Sequence, residues 1–164
     1  MAHPTVPFAP EADPRAFRDA LGRFATGITV ITTQTPDGPV GFTANSFAAV
    51  SLDPALVLWS PARASARFGI FATAAFYTIH VLGADQQDIS ARFHRGGGGF
   101  DGLMTTSAPE GMPILPHVLA RFDCAQHATH DGGDHLIVVG RVLRAAFGTG
   151  LPLVFSQGGY ATLA

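Results

Sequence analysis

Short β-type segments alternate with turns along most of this chain. Runs of β-branched or apolar residues predict strands at 28–33, 40–50, 55–59, 77–82, 118–127, 136–147 and 153–155. Apolar residues at helical spacing predict short helices at 14–24, 64–73 and 85–93. Strands outnumber helices and regular βαβ alternation is missing, so the pattern predicts a mainly β fold. We expect an antiparallel, Greek-key-like barrel with an N-terminal helix and two short helices between strands.

Turn chemistry supports this order of elements. Asp13-Pro14 is typical of a helix start, because aspartate caps free N–H groups and proline suits the first helical position. Pro36-Asp37-Gly38-Pro39 predicts a turn, and residues 131–134 predict a hairpin between two long strands. The proline-rich residues 1–12 predict a flexible arm, and residues 13–164 predict one domain.

Composition narrows the class of protein. Hydrophobic residues make up 47% of the 164 residues and charged residues only 13%. This apolar surplus predicts a homodimer, because a small monomer needs more polar cover. The net charge of −2 and the lack of a basic stripe argue against nucleic acid as a partner. Cys124 is the only cysteine and no apolar run is long enough for a membrane span, so we expect a cytoplasmic protein.

The segment Thr43-Ala44-Asn45-Ser46 is the first candidate for a ligand site. Small hydroxyl and amide groups within an apolar strand suit the edge of a flat ligand that presents hydrogen-bond donors and acceptors. Val50, Leu52 and Trp59 would then cover the apolar part of such a ligand. The alternative is an ordinary half-buried strand whose Thr and Ser side chains face solvent.

Two places offer candidates for binding a phosphate group. Ser60, Arg63 and Ser65 precede or begin a predicted helix, and helix N-termini attract anions. The alternative for Ser65 is a simple helix cap. Arg92, at the end of the next predicted helix, is the second candidate.

One predicted hairpin carries a cysteine and three histidines, a set that resembles metal ligands. Cys124 and His127 are an odd number of residues apart and would point to opposite faces of a strand. The spacing also lacks a paired zinc motif, so we predict no metal site. His135 differs because it follows a tight Gly-Gly-Asp turn at a strand start, where side chains are often exposed toward a cleft.

Three segments together resemble the flavin reductase family. They are residues 22–27, residues 41–54 and Gly133-Asp134-His135, and the resemblance extends over residues 13–160. It implies an FMN-binding split barrel, a homodimer, and hydride transfer from NADH or NADPH to FMN or FAD. It also implies a flavin-dependent monooxygenase as the partner that receives the reduced flavin.

The resemblance implies roles for residues by position. Those that would bind the flavin are Thr26, Thr43, Ala44, Asn45, Ser46, Val50, Ser51, Leu52, Ser60, Ser65, Arg92 and Phe93. His135 and Tyr160 would contact the nicotinamide nucleotide. The family commonly has asparagine at His80, so the role of this histidine is open, as is that of Trp59. Two alternatives remain: a flavin-binding sensor or storage protein without reductase turnover, and a related split-barrel oxidase.

Overall fold

The structure is a computed structural model that describes residues 4–163. The described residues form helices α1 (Pro14–Leu21), α2 (Phe68–Thr73) and α3 (Gln87–His94). The strands are β1 (Thr26–Gly27), β2 (Thr29–Thr35), β3 (Gly38–Ala44), β4 (Ala48–Leu52), β5 (Ala55–Trp59), β6 (Phe76–Val81), β7 (Thr106–Ser107), β8 (Pro113–Ile114), β9 (Ala120–Gly132), β10 (His135–Phe147), β11 (Val154–Ser156) and β12 (Gly159–Ala161). Part of the predicted N-terminal arm, residues 1–3, and the predicted domain end at residue 164 lie outside the described residues.

Seven antiparallel strands form the main sheet, in the order β3-β2-β6-β9-β10-β5-β4. The two edge strands, β3 and β4, are connected by residues 45–47 alone. So short a connection spans at most about 14 Å between Ala44 and Ala48, because each residue extends the chain by ~3.6 Å. The sheet must therefore curl until its edges approach each other, which confirms the predicted antiparallel barrel.

Two strand predictions are wrong in detail. The predicted strand 40–50 is two strands, because the chain leaves β3 after Ala44 and crosses to the opposite edge of the sheet. Residues 153–155 do not close the main sheet: β11 pairs with β1, with Thr26 opposite Phe155, and with β12. Both segments carry the apolar residues of a strand, and that local pattern does not reveal which partner strand each segment takes.

The helices begin and end where capping chemistry places them. The Asp13 carboxylate accepts a hydrogen bond from the Ala16 N–H at 2.9 Å, which confirms the predicted start of α1. This helix ends at Leu21 and not at residue 24. Helix α2 begins at Phe68, four residues later than predicted, because the Ser65 hydroxyl accepts from the Arg67 N–H in the preceding loop.

An aromatic cluster fills the interior of the barrel. Trp59, Phe71 and Tyr77 are fully buried, and Phe42 packs against them. The ring centroid of Trp59 lies 5.6 Å from that of Phe42 and 5.3 Å from that of Phe71, with the rings edge to face. Burial of each such side chain stabilises the fold by about 2–3 kcal/mol. Because side chains fill a barrel of this size, a ligand site must lie outside it.

A second cluster packs between the barrel wall and α3. Phe93 is fully buried there, with its ring against the backbone of Gly41 and 4.8 Å from the ring of Phe100. A side chain at position 41 would collide with the Phe93 ring, so glycine is required for this close approach.

Within residues 4–163, the helices are too short to cross a membrane.

Candidate flavin and nucleotide site

A cleft of about 250 Å³ lies outside the barrel, between the end of β3, α3 and the β11–β12 hairpin. Its walls are formed by Ile28, Thr43, Ala44, Asn45, Ser90, His94, Phe155 and Tyr160. Four of these, Thr43, Ala44, Asn45 and Tyr160, are residues that the sequence predicted for a ligand site. The fold therefore brings Tyr160 to the end of β3 from far along the chain.

Hydrogen bonds fix the walls of this cleft to each other. The Thr43 hydroxyl donates to the Ser90 carbonyl at 2.8 Å, which ties β3 to α3. The Ser90 hydroxyl lies 2.8 Å from the Tyr160 hydroxyl, which ties α3 to β12. Ser90 is fully buried, so these bonds form away from bulk water. The three elements thus hold the cleft in shape before any ligand enters.

Arg67 anchors the far end of α3. Its guanidinium donates to the carbonyls of Gly41, Phe93, His94 and Gly96 at 2.7–3.1 Å. The group also lies over the Phe42 ring, 4.3 Å from its centroid. Partial burial lowers the pKa of Arg67. A cation at the C-terminal carbonyls of a helix is favourable, so Arg67 stabilises both α3 and the adjoining glycine loop.

A second cavity, of about 450 Å³, adjoins the cleft and shares Asn45 and Phe155 with it. Thr26 contributes to its wall. The Thr26 hydroxyl is buried and has no hydrogen-bond partner in the part of the chain that the structure describes. An unsatisfied hydroxyl beside a cavity is available to a polar ligand.

The other predicted flavin residues lie on a neighbouring face. The Ser60 N–H donates to the Ser46 hydroxyl at 2.9 Å, which links the 45–47 connection to the end of β5. Val50, Ser51 and Leu52 belong to the edge strand β4, and the Leu52 side chain is 98% exposed. The Ser46 hydroxyl is thus already bonded, whereas Leu52 is fully available for contact.

The predicted nucleotide residue His135 lies beside the loop that carries Ser60 and Ser65. His135 pairs with Ala62 in an isolated β-bridge, and the Arg63 N–H donates to the Asp134 carbonyl at 2.9 Å. His135 Nδ1 lies 2.7 Å from the Asp134 carboxylate, and this hydrogen bond lowers the pKa of Asp134. Two segments that are distant in sequence therefore form one polar surface.

The flavin reductase like domain matches residues 21–164 of the chain. An FMN reductase (NADH) of Agrobacterium fabrum is 57% identical over 146 residues, which cover 89% of this chain and 84% of that protein. The chain belongs to the flavin reductase family.

Two further relatives extend the comparison. The reductase subunit of a flavin-dependent monooxygenase of Rhodococcus jostii is 43% identical over 150 residues, or 90% of this chain and 77% of that protein. A solved structure of a Streptomyces globisporus NADH:FAD oxidoreductase, in complex with NAD and FAD fragments, is 31% identical with a TM-score of 0.90. It covers 98% of each chain. These similarities confirm the predicted split-barrel fold.

Four residues suggested for the flavin site have surroundings in the structure that the sequence did not predict. Trp59 cannot cover the flavin ring, because it is fully buried inside the barrel. The Phe93 ring is enclosed beneath Gly41, which leaves only its backbone for a ligand. Arg92 is exposed and donates to the Asp101 carbonyl at 2.7 Å. Ser65 lies three residues before α2, so its predicted position at a helix start is wrong, while its contact with a phosphate stays a prediction.

The open question of His80 is answered by its hydrogen bonds. The ring is fully buried, with Nδ1 3.0 Å from the Val30 carbonyl and Nε2 accepting from the Leu115 N–H at 3.1 Å. Burial lowers the pKa of His80 to about 4. His80 is therefore a neutral structural group that joins the barrel wall to the segment before β9.

Cys124 is likewise a packing residue. It lies fully buried in the barrel cluster, and burial raises the pKa of its thiol to about 12. Within residues 4–163, His, Cys, Asp and Glu side chains nowhere gather in threes as a metal site requires. The absence of a metal in the functional protein stays a prediction.

Sequence reasoning missed Ser90, His94, Phe155 and Arg67. Ser90 and His94 are four residues apart on α3, so helical spacing places them on one face. That signal was present in the sequence, but nothing local indicated that this face borders β3. Phe155 lies on β11 outside the main sheet, and the pairing of that strand with β1 places it at the cleft.

Proposed function

We propose that the protein transfers a hydride from NADH or NADPH to FMN, with FAD as a second acceptor. The reduced flavin then passes to a separate flavin-dependent monooxygenase. The observation that carries this proposal is the cleft at the end of β3, which gathers Thr43, Ala44, Asn45 and Tyr160. The relatives named as an NADH-dependent FMN reductase and as a monooxygenase reductase subunit support it. A cytoplasmic location remains a prediction.

The chemistry of the walls fits a flavin. An isoalloxazine ring has a polar pyrimidine edge and an apolar benzenoid part, so its site needs both kinds of surface. Asn45 offers an amide donor and acceptor, and Thr26 offers a hydroxyl without a partner. Phe155 and Tyr160 supply aromatic surface, with ring centroids 5.9 Å apart. Both requirements are thus met within one continuous groove.

The contribution of the protein is to bind and orient. The nicotinamide supplies the hydride, and the flavin ring accepts it at N5 when both are bound. Asn45 orients the polar edge of the ring, while the bonded pair Ser90 and Tyr160 keeps the opposite wall in place. Phe155 excludes water from the groove. Hydride transfer requires no proton donor, so we assign no general acid or base.

The polar surface that carries Ser60, Ser65 and His135 is the proposed place for nucleotide contacts and for one of the phosphate groups of the two substrates. His135 is partly exposed, and its Nδ1 faces Asp134, which leaves Nε2 without a hydrogen-bond partner among residues 4–163 and able to face a ligand. Arg63 is less suited to an anion, because its guanidinium already donates to Asp131 at 2.8 Å and to the Gly133 carbonyl at 3.0 Å. His135 would orient the nicotinamide nucleotide, as the resemblance implies.

We also propose a homodimer whose interface adjoins the flavin sites. Leu52 and Val50 lie on an edge strand and are exposed, as is Phe147 on β10. Exposed apolar side chains of this size on a sheet edge favour association with a second copy. Light scattering should give twice the chain mass at micromolar concentration. A monomer mass there would contradict the dimer and leave the reductase proposal intact.

Absorbance and turnover test the reductase function. The protein is incubated with NADH or NADPH and with FMN, FAD or no flavin, in air. We expect continuous oxidation of the nicotinamide that depends on added flavin. A single bleaching of bound flavin without turnover would instead support the sensor or storage alternative. Mass spectrometry of any released ligand identifies the preferred flavin.

A pair of variants links the activity to the cleft. Asn45→Trp places a large side chain at the position that borders both cavities. Thr129→Trp makes the same change at an exposed position on β9. We expect only Asn45→Trp to abolish flavin-dependent NADH oxidation while circular dichroism stays native. Equal activity of the two variants would place the site elsewhere.

A further inference from the structure

The groove that contains the cleft continues away from β3 toward α1. The cavity of about 450 Å³ that begins at Asn45 and Phe155 extends past Thr26 to Leu21 and Phe24. Leu21, the last residue of α1, and Phe24, just after it, are largely exposed, so these side chains line the groove and are not packed into the core. The helix thus serves as an outer wall of the groove.

Two arginines lie at the end of this groove. Arg18 borders the cavity of about 450 Å³ and also a further cavity of about 300 Å³. Arg23 borders the further cavity, together with Gln157 and Gly158. Arg18 therefore stands where the two spaces meet, and Arg23 lies beyond it.

The backbone holds these arginines in a defined arrangement. The Gln157 N–H donates to the Gly22 carbonyl at 2.8 Å, which fixes the end of α1 to the β11–β12 turn. The Arg23 guanidinium donates to the Gln157 side-chain oxygen at 2.9 Å, which orients it with a neutral partner. Gly158 has φ 79, a left-handed conformation that glycine adopts without strain. The cationic end of the groove is therefore part of the fold.

Neither guanidinium is neutralised by an ion pair. Among residues 4–163, the ion pairs of arginine involve Arg63, Arg121 and Arg144. Asp19 borders the further cavity as well, and it is not among the ion-paired residues of the part of the chain that the structure describes. Two guanidinium groups and one carboxylate leave the lining of this cavity with a net positive charge, which favours a phosphate, whose oxygens accept hydrogen bonds in the fork geometry of arginine.

We propose that Arg18, with Arg23 behind it, binds a phosphate group of a substrate whose ring lies in the cleft. The inference rests on the proposed function, in which both substrates carry phosphate: the flavin on its ribityl chain and the dinucleotide in its pyrophosphate. The continuous groove connects the ring site to the cationic end. Arg18 is thus a specificity residue that favours the phosphorylated form of the ligand.

The test compares phosphorylated ligands with phosphate-free analogues. Binding of FMN and riboflavin is measured by flavin fluorescence, and KM is measured for NADH and for reduced nicotinamide riboside. We expect Arg18→Gln to weaken one phosphorylated ligand roughly tenfold, the usual effect of losing a charge-assisted hydrogen bond, and to leave its phosphate-free analogue unchanged. If only FMN binds more weakly, then Arg18 binds the flavin phosphate. If only the KM for NADH rises, then Arg18 binds the pyrophosphate of the dinucleotide.

Two further variants sharpen the result. Arg23→Gln should produce a smaller effect on the same ligand. Arg15→Gln removes a charge from the same helix at a position that borders neither cavity, and should change nothing. Three results would overturn the proposal. Arg18→Gln could leave the binding of all four ligands unchanged, or it could weaken a phosphorylated ligand and its phosphate-free analogue equally. It could also change ligand binding no more than Arg15→Gln does. A parent protein that binds FMN but never oxidises NADH would refute the proposed function while the fluorescence comparison still tests the subsite.

Discussion

The interior of the barrel and the groove outside it are both rich in aromatic residues, but they differ in what those residues contact. Inside, Trp59, Phe71 and Tyr77 contact one another and are fully buried. In the groove, Phe155, Tyr160 and Phe24 are partly or largely exposed.

The two regions also differ in their polar groups. Inside the barrel wall, the hydrogen bonds of His80 to Val30 and Leu115 are complete within the protein. In the groove, and within the described residues 4–163, the Thr26 hydroxyl lacks a hydrogen-bond partner and the Arg18 guanidinium lacks a paired carboxylate. Among the described residues, the Trp59 Nε1–H and the Tyr77 hydroxyl also lack hydrogen-bond partners, but both are enclosed in the barrel, where no ligand reaches them. The unsatisfied groups of the groove, by contrast, lie beside cavities that a ligand can enter. Changes in the interior should therefore affect stability, and changes in the groove should affect binding.

Removal of a core ring should give the largest effect on stability. Phe71→Ala leaves a cavity among Trp59, Phe42 and Tyr77, and should lower the free energy of unfolding by about 3–5 kcal/mol. Phe24→Ala deletes a ring that is 80% exposed and should change it by less than about 0.5 kcal/mol. Urea titration followed by circular dichroism measures both. Equal losses would mean that the groove, too, is part of the folding core.

Acid should weaken the barrel through His80. The folded protein keeps this ring neutral with a pKa of about 4, whereas the unfolded chain protonates near 6.5. As pH falls from 6.5 to 4, the unfolded chain therefore binds a proton that the folded protein does not, and the free energy of unfolding decreases. The complete loss, reached below pH 4, is about 3 kcal/mol. His80→Asn should remove this part of the pH dependence.

The control for His80 is His130→Asn, which changes an exposed histidine on β9. Urea titrations from pH 7 to pH 4 compare the three proteins. The control should keep the pH dependence of the parent. If all three curves run parallel, then His80 does not hold a neutral imidazole in the folded state.

A change at the mouth of the groove should weaken binding without loss of stability. Asn45→Ala should reduce FMN affinity by about 1–3 kcal/mol, because a polar edge of the ligand loses its partner. Ser46→Ala removes the hydroxyl that accepts a hydrogen bond from the Ser60 N–H. It should therefore weaken FMN binding indirectly and lower thermal stability as well. Isothermal titration and thermal melting distinguish the two. If both variants bind FMN as tightly as the parent, the flavin ring does not lie at the end of β3.

The smallest effect is expected at the hairpin. His135→Ala should raise KM for NADH about threefold and leave kcat and FMN affinity nearly unchanged, since a contact made equally in ground and transition states alters binding alone. His127→Ala, an exposed histidine on the same pair of strands, is the control. An unchanged KM with a lower melting temperature would assign His135 to the structure of the turn.

Local signals explain what the sequence predicted well. The cap at Asp13 and the hairpin before His135 depend on residues within a few positions of each other, and the structure confirms both. The features that the sequence did not predict depend on contacts between residues that are far apart in the chain. The collision that requires glycine at Gly41 involves Phe93, and the bond that orders Ser90 involves Tyr160. Neither partner is visible in a local pattern.

The candidate site shows the same division. Residues of the end of β3 were found because their composition is unusual for a strand, and family resemblance supplied Tyr160. Arg67 was missed because an arginine that binds only backbone carbonyls leaves no paired charge in the sequence. Its role depends on how α3 and β3 lie in space, which only the fold determines.

The position of Trp59 has a consequence for spectroscopy. It is the only tryptophan in the chain and lies in the apolar interior, away from the proposed ligand groove. Its fluorescence therefore reports the integrity of the barrel from a single, water-free position, and a red shift of its emission marks unfolding. A bound flavin outside the barrel can affect that signal only across the wall, through energy transfer, so intensity measures occupancy while wavelength measures folding.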